Sequence, residues 1–585
     1  MRASQRAAGH SMRAQAIAGN HVVTIGVNMD QVETNDLLGF GFHRTDRTEN
    51  DAYWLEGQKR FKISDPGLPP GTGVPTNKHP IQSFLWADFT AKGAHSYVYR
   101  VVAIRGTPDA PQEAESVELA VSTEGHDLEE VHDVFFNRGA IASQAYANRY
   151  GNKDPDEVGP EAYAWLSRGL HEALIGFIGQ AKDRTFSLRA AIYEFQYPDV
   201  LDAFHTSGMN GADIKIIYDA KKNAKGPKQK NEEAIKTEQI KALCIPRTAN
   251  PSYIAHNKFI VLLENGRPIS VWTGSTNVTT NGIFGHLNVG HIIRDPAIAA
   301  QYLEYWTALS DDPEAKDLKP VNVKNTPAPR DVAAKDGRIA VFSPRSNLDA
   351  LDWYVEMMAD AKKAAFLTGA FGVPAPFVDL LKTESDVVRY ILLEKPGQGP
   401  NAGEVLSEIR AVRSNQIVVG PPKWFSLNAF DDWLEERKNP FSENVEYIHT
   451  KFLLADPLGD DPWVVTGSAN FSGASTNQND ENMVVIRGNG RVTDIYLGEF
   501  MRIYNHLSFR SWAAGKTKEE LNCSKSAADR ADALKFVIHF VGDVHQPLHD
   551  ETHFGVDGKD DRGEIVFPSR FSDSPATCTP CGTRA

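Results

Sequence analysis

Apolar and polar residues alternate in short stretches over the first part of the chain. The runs "HVVTIGV", "SYVYRVVAIRG" and "SVELAVST" are rich in Val and Tyr, and turn-forming residues separate them. This pattern is typical of strands joined by turns, so residues 20–123 are predicted to form a β-sandwich. Residues 1–19 contain arginines but no acidic residue and no apolar core of a signal peptide. They are predicted to be a disordered lead-in.

The period of the pattern changes near residue 124. The stretch "PEAYAWLSRGLHEALIGFIGQA" has apolar residues at helical spacing, and the apolar runs "FSLRAAIYEF" and "ADIKIIYDA" follow it. Helices that alternate with strands predict a sheet covered by helices. We therefore predict a first α/β/α domain over residues 124–316.

A second domain with the same order is predicted after a Pro-rich linker at 317–337. The helical stretch "LDALDWYVEMMADAKKA" precedes the apolar runs "AAFLTGAFGV" and "DVVRYILLEK". The repetition indicates that the α/β/α unit is duplicated over residues 338–515. Residues 516–585 are left as a short C-terminal fragment.

Composition narrows the class of protein without identifying it. The chain has 585 residues, a formal net charge of -14 and four cysteines. This length predicts several domains. The negative charge argues against a general nucleic-acid or anionic-membrane binder, although a local basic groove remains compatible with it. No run approaches the length of a transmembrane helix, and a monomer is expected. The location stays open, although the few cysteines and the absence of a signal peptide favour the cytoplasm over secretion.

Polar residues repeat at fixed positions within the duplicated unit. The segments "HNKFIVLLENGRPISVWTGSTN" (256–277) and "HTKFLLADPLGDDPWVVTGSAN" (449–470) align without a gap, each position lying 193 residues before its counterpart. Alternation along a strand places a His and a Lys two residues apart on one face. The identical polar pairs are His256 and His449, Lys258 and Lys451, Ser275 and Ser468, and Asn277 and Asn470.

Two HxK motifs, each followed by GSxN, resemble the phospholipase D superfamily. The second copy keeps the full HxKxxxxD form through Asp456 and has Glu481 downstream. The first copy departs from it, with Leu263 at the aspartate position and Asn288 opposite Glu481. The resemblance implies two α/β/α layers related by a pseudo-twofold axis. It also implies one shared pocket and a reaction through a phosphohistidine that requires no metal.

The same residues suit phosphodiester chemistry on physical grounds. Lysines and asparagines can neutralise and hydrogen-bond the non-bridging oxygens, a neutral imidazole can attack, and a protonated imidazole can donate to the leaving oxygen. We expect Glu481 to orient His449. A carboxylate at that position would favour the charged form of His449 and make this histidine the acid. His256, facing Asn288, would then be the nucleophile.

The tail contains a second motif. "HFVGDVHQPLH" resembles the zinc-dependent single-strand nuclease family, whose fold also includes zinc phospholipases C. On a helix His539 and Asp543 share a face, as metal ligands would, and His549 follows. The family's remaining ligands are missing, so a domain fragment is predicted, with Zn²⁺ at these three residues as a candidate ligand.

Three functions remain open at this point. The first is a phospholipase D-like phosphodiesterase acting on a phospholipid head group or a similar diester, by hydrolysis or transfer. The second is a nuclease that acts on DNA or RNA through the same histidines or through the tail. The third is a binding protein whose catalytic halves have decayed, although the retained His, Lys and Asn in both copies argue against it.

Overall fold

The fold is described from a computed structural model of the chain. It covers residues 1–513 except 58–59, 69–71, 127–129, 140–145, 147–148, 152, 222–225, 250–252, 327–330, 398–399 and 421–447. The fragment predicted at 516–585 lies outside the described residues, and so do His539, Asp543 and His549. Among the described residues, no helix combines the length and the apolar character needed to cross a bilayer.

The N-terminal part consists of two four-stranded antiparallel sheets, ordered β1-β2-β3-β8 and β10-β9-β4-β5, and a small β6-β7 pair. The strands are β1 (Arg2–Arg6), β2 (Arg13–Ala18), β3 (Val23–Asn28), β4 (Gly39–Asp46), β5 (Asp51–Trp54), β6 (Glu56–Gly57), β7 (Val74–Pro75), β8 (Leu85–Asp88), β9 (Ser96–Thr107) and β10 (Ala110–Ser122).

One apolar core lies between these two sheets. Ala16 and Ile25 from the first sheet pack in the same buried cluster as Phe42, Tyr99 and Leu119 from the second. This arrangement follows from the alternation of the strands, because every second side chain points to one face.

The prediction of a disordered lead-in over 1–19 is wrong. β1 and β2 form a hairpin in the first sheet, and β2 pairs with β3. The side chain of Arg2 reaches Asp494, with its Nε 2.9 Å from Oδ1. Arg2 and Arg6 therefore belong to an edge strand with a polar outer face, a composition that edge strands commonly have.

The first α/β unit is built on a seven-stranded mixed sheet of order β11-β17-β16-β15-β12-β13-β14. Its strands are β11 (His132–Phe136), β12 (Phe186–Ile192), β13 (Asp213–Asp219), β14 (Cys244–Arg247), β15 (Lys258–Glu264), β16 (Arg267–Gly274) and β17 (Val289–Ile293). Its helices are α1 (Pro155–Val158), α2 (Pro160–Ser167), α3 (Leu170–Gly179), α4 (Pro198–Met209), α5 (Lys228–Thr237), α6 (Pro296–Ser310) and α7 (Ala315–Asn325).

The second unit repeats this plan in the order β18-β24-β23-β22-β19-β20-β21. Its strands are β18 (Gly337–Ser343), β19 (Ala364–Gly369), β20 (Val388–Leu393), β21 (Asn415–Val419), β22 (Phe452–Ala455), β23 (Trp463–Gly467) and β24 (Glu481–Arg487). Its helices are α8 (Asp349–Ala359), α9 (Val378–Leu381), α10 (Ala402–Ala411), α11 (Gly473–Asn477) and α12 (Gly490–Ala513).

The two sheets share a buried core that α6 and α12 fill. Tyr302 and Tyr305 on α6 and Tyr496 on α12 belong to one cluster with Phe259 of β15 and Phe452 of β22. Each of these aromatic residues buries a large apolar area. The chain is thus a multidomain α/β protein with mixed sheets, as predicted, and the shared core holds the ends of β15 and β22 together.

Two short backbone bridges fix the contact between the sheets at the ends that carry the HxK motifs. Ala255 bridges Asp480, and Leu287 bridges Ile448. A buried ion pair reinforces the first bridge, with Arg247 Nε 2.9 Å from the Asp480 carboxylate. These contacts determine which side chains of one sheet face the other.

Candidate active site

The two HxK motifs lie at equivalent strand starts. Lys258 is the first residue of β15, and Lys451 immediately precedes β22. The Nζ atom of Lys258 donates to the carbonyl oxygen of His256 at 2.7 Å, and that of Lys451 donates to His449 at 2.5 Å. All four side chains are buried. The two copies therefore present the same local geometry, as their common spacing predicts.

Each histidine contacts a residue of the opposite sheet. His256 Nδ1 lies 2.9 Å from Glu481 Oε2, and His449 Nδ1 lies 2.9 Å from Asn288 Oδ1. The predicted pairing, with Glu481 beside His449 and Asn288 beside His256, is wrong. The bridges at Ala255–Asp480 and Leu287–Ile448 explain the exchange, because each partner follows directly after a bridged residue.

The serines of the GSxN motifs orient these partners. Ser468 Oγ donates to Glu481 Oε2 at 2.6 Å, and Ser275 Oγ donates to Asn288 Oδ1 at 2.8 Å. The Asn288 amide nitrogen donates to the Gly282 carbonyl oxygen, so its oxygen faces His449. In both copies the partner accepts at Nδ1, which leaves the Nε2 lone pair of a neutral ring unused by these contacts.

Burial dominates the electrostatics of the site. It lowers the pKa of His256 to about 4, against the opposing effect of Glu481. Burial and then the charge of Lys451 hold the pKa of His449 well below its usual range. Burial also lowers the pKa of the Lys258 and Lys451 ammonium groups. Desolvation disfavours the charged form in each case, and an anion bound beside these groups would raise the pKa of each.

The asparagines of the two GSxN motifs are not equivalent. The Asn277 amide nitrogen donates to the carboxylate of Glu194. Among the described residues, the amide oxygen of Asn470 accepts no hydrogen bond. Within the part of the chain that the structure describes, the buried amide oxygens of both asparagines have no hydrogen-bond partner. The first half therefore has a carboxylate at this position that the internal alignment did not reveal.

Sequence reasoning missed Glu194 and its neighbour Tyr193. They follow β12, and the Tyr193 ring lies 5.0 Å from the His256 ring, with Lys258 Nζ 5.3 Å from its centroid. The position 193 residues after Glu194 is Val387, so the repeat offset gives no signal here.

Two further acidic residues, which sequence reasoning did not identify, hold the backbone next to the histidines. Asp219 accepts from the backbone N–H of Ala255 at 3.0 Å, and Glu394 accepts from that of Ile448 at 2.8 Å. Each therefore fixes the residue that precedes a histidine. Asp219 is the last residue of β13 and Glu394 follows β20, the equivalent strand of the second sheet, and that position was the only available signal.

Asp456 does not lie with the other candidate site residues. It follows β22 at the end opposite to His449, and its carboxylate accepts from the backbone of Lys362, Lys363 and Ala364. Its inclusion among the catalytic candidates is wrong, because the strand separates it from the histidine. At the equivalent position Leu263 is buried in the shared core.

Within the described part of the chain, the groups of side chains that could hold a metal ion lie away from the histidine pair. The groups His10–Glu33–Glu115 and Asp46–Glu49–His95 belong to the N-terminal sheets. Several of their members are committed to ion pairs, such as Glu115 with Arg105. Neither group contacts the histidine pair.

Comparison with known families places the two motif copies in one domain family. The model described as cardiolipin synthase, PLD-like domain, matches residues 174–309 and 412–504. The S1/P1 nuclease model matches residues 513–565. The chain therefore contains a phospholipase D-like domain in two parts, followed by a piece related to S1/P1 nucleases, and both resemblances seen in the sequence are confirmed. No curated protein matches the chain.

Solved structures with similarity to the chain are distant. Polyphosphate kinase from Porphyromonas gingivalis is 11% identical over 55% of this chain and 42% of its own, with a TM-score of 0.36. Phosphatidylserine synthase from Haemophilus influenzae Rd KW20 is 12% identical over 66% and 94%, with a TM-score of 0.40. Nuc, a phospholipase D family member from Salmonella typhimurium, is 18% identical over 29% and 96%, with a TM-score of 0.22. The chain spans less than half of the kinase.

Proposed function

We propose that the chain is a metal-independent phosphodiesterase of the phospholipase D type, which hydrolyses or transfers a phosphodiester through a phosphohistidine. The pair of crossed contacts, His256 with Glu481 and His449 with Asn288, is the observation that supports it most strongly. Two oriented imidazoles, two lysines and two asparagines provide a nucleophile, an acid and donors for the non-bridging oxygens.

We assign the attack to His256 on grounds that differ from the sequence argument. Attack through Nε2 turns the ring into an N-phosphoryl imidazolium, and the Glu481 carboxylate at Nδ1 stabilises that positive charge. The bond from phosphorus to the leaving oxygen breaks as the bond to Nε2 forms. Water or an alcohol then displaces His256 and restores the neutral ring.

His449 supplies the proton to the leaving oxygen. Its amide partner stabilises a positive charge less than a carboxylate would, so its imidazolium is the stronger acid of the two. In the free site burial keeps this ring neutral. A bound diester anion raises the pKa of His449, and we therefore expect proton uptake when the substrate binds.

A brief pulse with a ³²P-labelled diester tests the assignment. Label is expected on His256 of the wild type and also on that of His449→Ala, because the second histidine forms no bond to phosphorus. His256→Ala should retain none. Label on a His256→Ala protein and none on a His449→Ala protein would exchange the two roles.

The substrate we propose is a phospholipid head-group ester. The matched family model is described as cardiolipin synthase, and the net charge of -14 disfavours a polyanionic partner. Choline release from phosphatidylcholine in excess EDTA is expected. If the protein releases no head group but cleaves single-stranded DNA, the lipid assignment is wrong.

A nuclease remains the second candidate because the tail matches the S1/P1 family. EDTA distinguishes two routes of nucleic-acid cleavage. Cleavage by the histidine pair persists in the chelator, and cleavage through zinc at His539, Asp543 and His549 does not. A protein silent toward lipid, DNA and a simple aryl diester would be the decayed binding protein instead.

The finer architecture belongs to the same proposal. We propose that the two seven-stranded sheets are related by a pseudo-twofold axis, which their identical strand orders favour, and that the N-terminal sheets form an immunoglobulin- or fibronectin-like sandwich. The domain limits at 123, 124–316 and 338–515 stay predictions, as does the monomeric state.

A further inference from the structure

The loop after β12 distinguishes the two halves of the site. Ile192 of β12 pairs with Lys258. In the second sheet Leu367 of β19 pairs with Leu453, and continuing that register places Gly369 opposite Lys451. Tyr193 and Glu194 therefore correspond to Ala370 and Phe371. The first half has an aromatic ring and a carboxylate where the second has a methyl group and an exposed phenyl ring.

Glu194 contacts the proposed anion-binding groups of the first half. Its Oε2 accepts from the amide of Asn277, and the Val278 N–H donates to its backbone oxygen at 3.0 Å. The side chain is only partly exposed, and Tyr193 beside it packs against both His256 and Lys258. The carboxylate is thus fixed on the side of the pocket where Lys258 lies.

The charges that face Lys258 come from both halves. Glu481 on β24 and Glu194 after β12 are the negative groups, and Lys451 before β22 is the positive one. His256 on its own segment is a neutral neighbour at ordinary pH. Among the described residues, Lys258 disfavours the charged form of Lys451 and Glu481 favours it, after the larger effect of burial. The two lysines, identical in sequence, are therefore in different electrostatic environments.

We propose that Glu194 is a positioning residue that orients the Asn277 amide and favours the charged form of Lys258, so that the first half provides the cationic anchor for the substrate phosphate near neutral pH. This inference rests on the proposed function. The carboxylate supplies a second negative charge beside Lys258 while its hydrogen bond fixes the asparagine amide. Phe371 cannot do the same for Lys451 and Asn470.

Glu194→Gln isolates the charge, since glutamine still offers an oxygen to Asn277. Without the carboxylate the pKa of Lys258 falls, so the ammonium loses its proton at lower pH. The ratio of wild-type to E194Q kcat/KM for bis(4-nitrophenyl) phosphate should rise about tenfold from about pH 6 to about pH 9. A ratio cancels the titration of His449, which both proteins share.

Two matched variants complete the test. In a Lys258→Arg background the cation cannot be titrated, so the ratio should stay level with pH. Phe371→Leu, at the equivalent position of the second half, should give a level ratio as well. A level ratio in the native background, or a rising one in the K258R background, overturns the inference.

Tungstate binding repeats the measurement without turnover. Its dissociation constant should rise more steeply with pH in E194Q than in the wild type. Diester hydrolysis with a level ratio overturns only the role of Glu194. Absence of both hydrolysis and tungstate binding overturns the proposed function, and this inference with it.

Discussion

At the scale of single residues, Glu481 has the most direct effect on the proposed nucleophile. It accepts from Ser468 and faces His256 Nδ1. We expect Glu481→Gln to lower kcat for an aryl diester by about 100- to 1000-fold, because the positive charge of the intermediate loses its partner. Circular dichroism should stay native, since glutamine still accepts from Ser468.

The pH profile of E481Q has a definite sign. Burial lowers the pKa of His256 to about 4, and the Glu481 carboxylate opposes this effect. Its removal lowers that pKa further. The nucleophile must be neutral, so activity falls as pH decreases through this pKa, and the acid limb of kcat/KM should move to lower pH. An acid limb that moves upward would contradict the contact.

Asp456 is expected to act on stability and not on turnover. Its carboxylate accepts three backbone hydrogen bonds, and its backbone φ of 45° is a conformation that Ala adopts less readily than Asp. Asp456→Ala should lower the free energy of unfolding by about 3 kcal/mol. Denaturant titration measures this change. kcat per folded molecule should stay near the wild-type value, and exposed Asp460→Ala is the control.

The repeat in the sequence was sufficient to find the histidines, lysines, serines and asparagines of the candidate site. It was not sufficient to pair them. Glu481 and His449 are close along the chain, but the bridge between Ala255 and Asp480 turns Glu481 toward the other half. Glu194 was missed because its position depends on strand register, which the motif alignment does not contain.

At the scale of elements, the turn after β16 has a strict steric requirement. Gly274 has a φ of +137°, and a Cβ built there would lie 2.2 Å from the Val289 carbonyl oxygen. Gly274→Ala should therefore separate β16 from β17 and destabilise the fold by more than about 3 kcal/mol. Thermal unfolding and soluble yield measure the effect.

Gly176→Ala is the matched control for that substitution. No atom lies within 4 Å of the Cβ it would add, and the residue is inside α3. Alanine is the better helix former by about 1 kcal/mol, so this variant should be slightly more stable than the wild type. Equal effects of the two substitutions would contradict the steric argument.

The sequence predicted elements well where apolar runs were long. β15 and β22 follow directly from "FIVLL" and "FLLA", both of which are buried on the two faces of a covered sheet. It failed at β1, where the residues are partly or fully exposed. An edge strand with one polar face has no apolar period long enough to distinguish it from a coil.

At the scale of the whole molecule, neither half forms the site alone. Each histidine depends on a partner from the other sheet, and the core that includes Tyr302, Tyr305 and Tyr496 belongs to both. The buried Arg247–Asp480 pair sits one residue from Glu481. Packing between the halves therefore determines the geometry of the candidate site.

The relation between this site and the tail leads to a prediction about metal. In the proposed mechanism the histidine pair supplies the nucleophile and the acid from protein side chains, and the lysines provide the positive charge that a metal would otherwise supply. Dialysis of the full chain against EDTA should therefore leave hydrolysis of an aryl diester within about twofold of its starting value. His539→Ala and His549→Ala should behave like the wild type in the same assay. Metal analysis before and after dialysis provides the independent readout: zinc lost without loss of activity fits a tail that is separate from the reaction, whereas activity lost with zinc and restored by its return would assign the reaction to the tail.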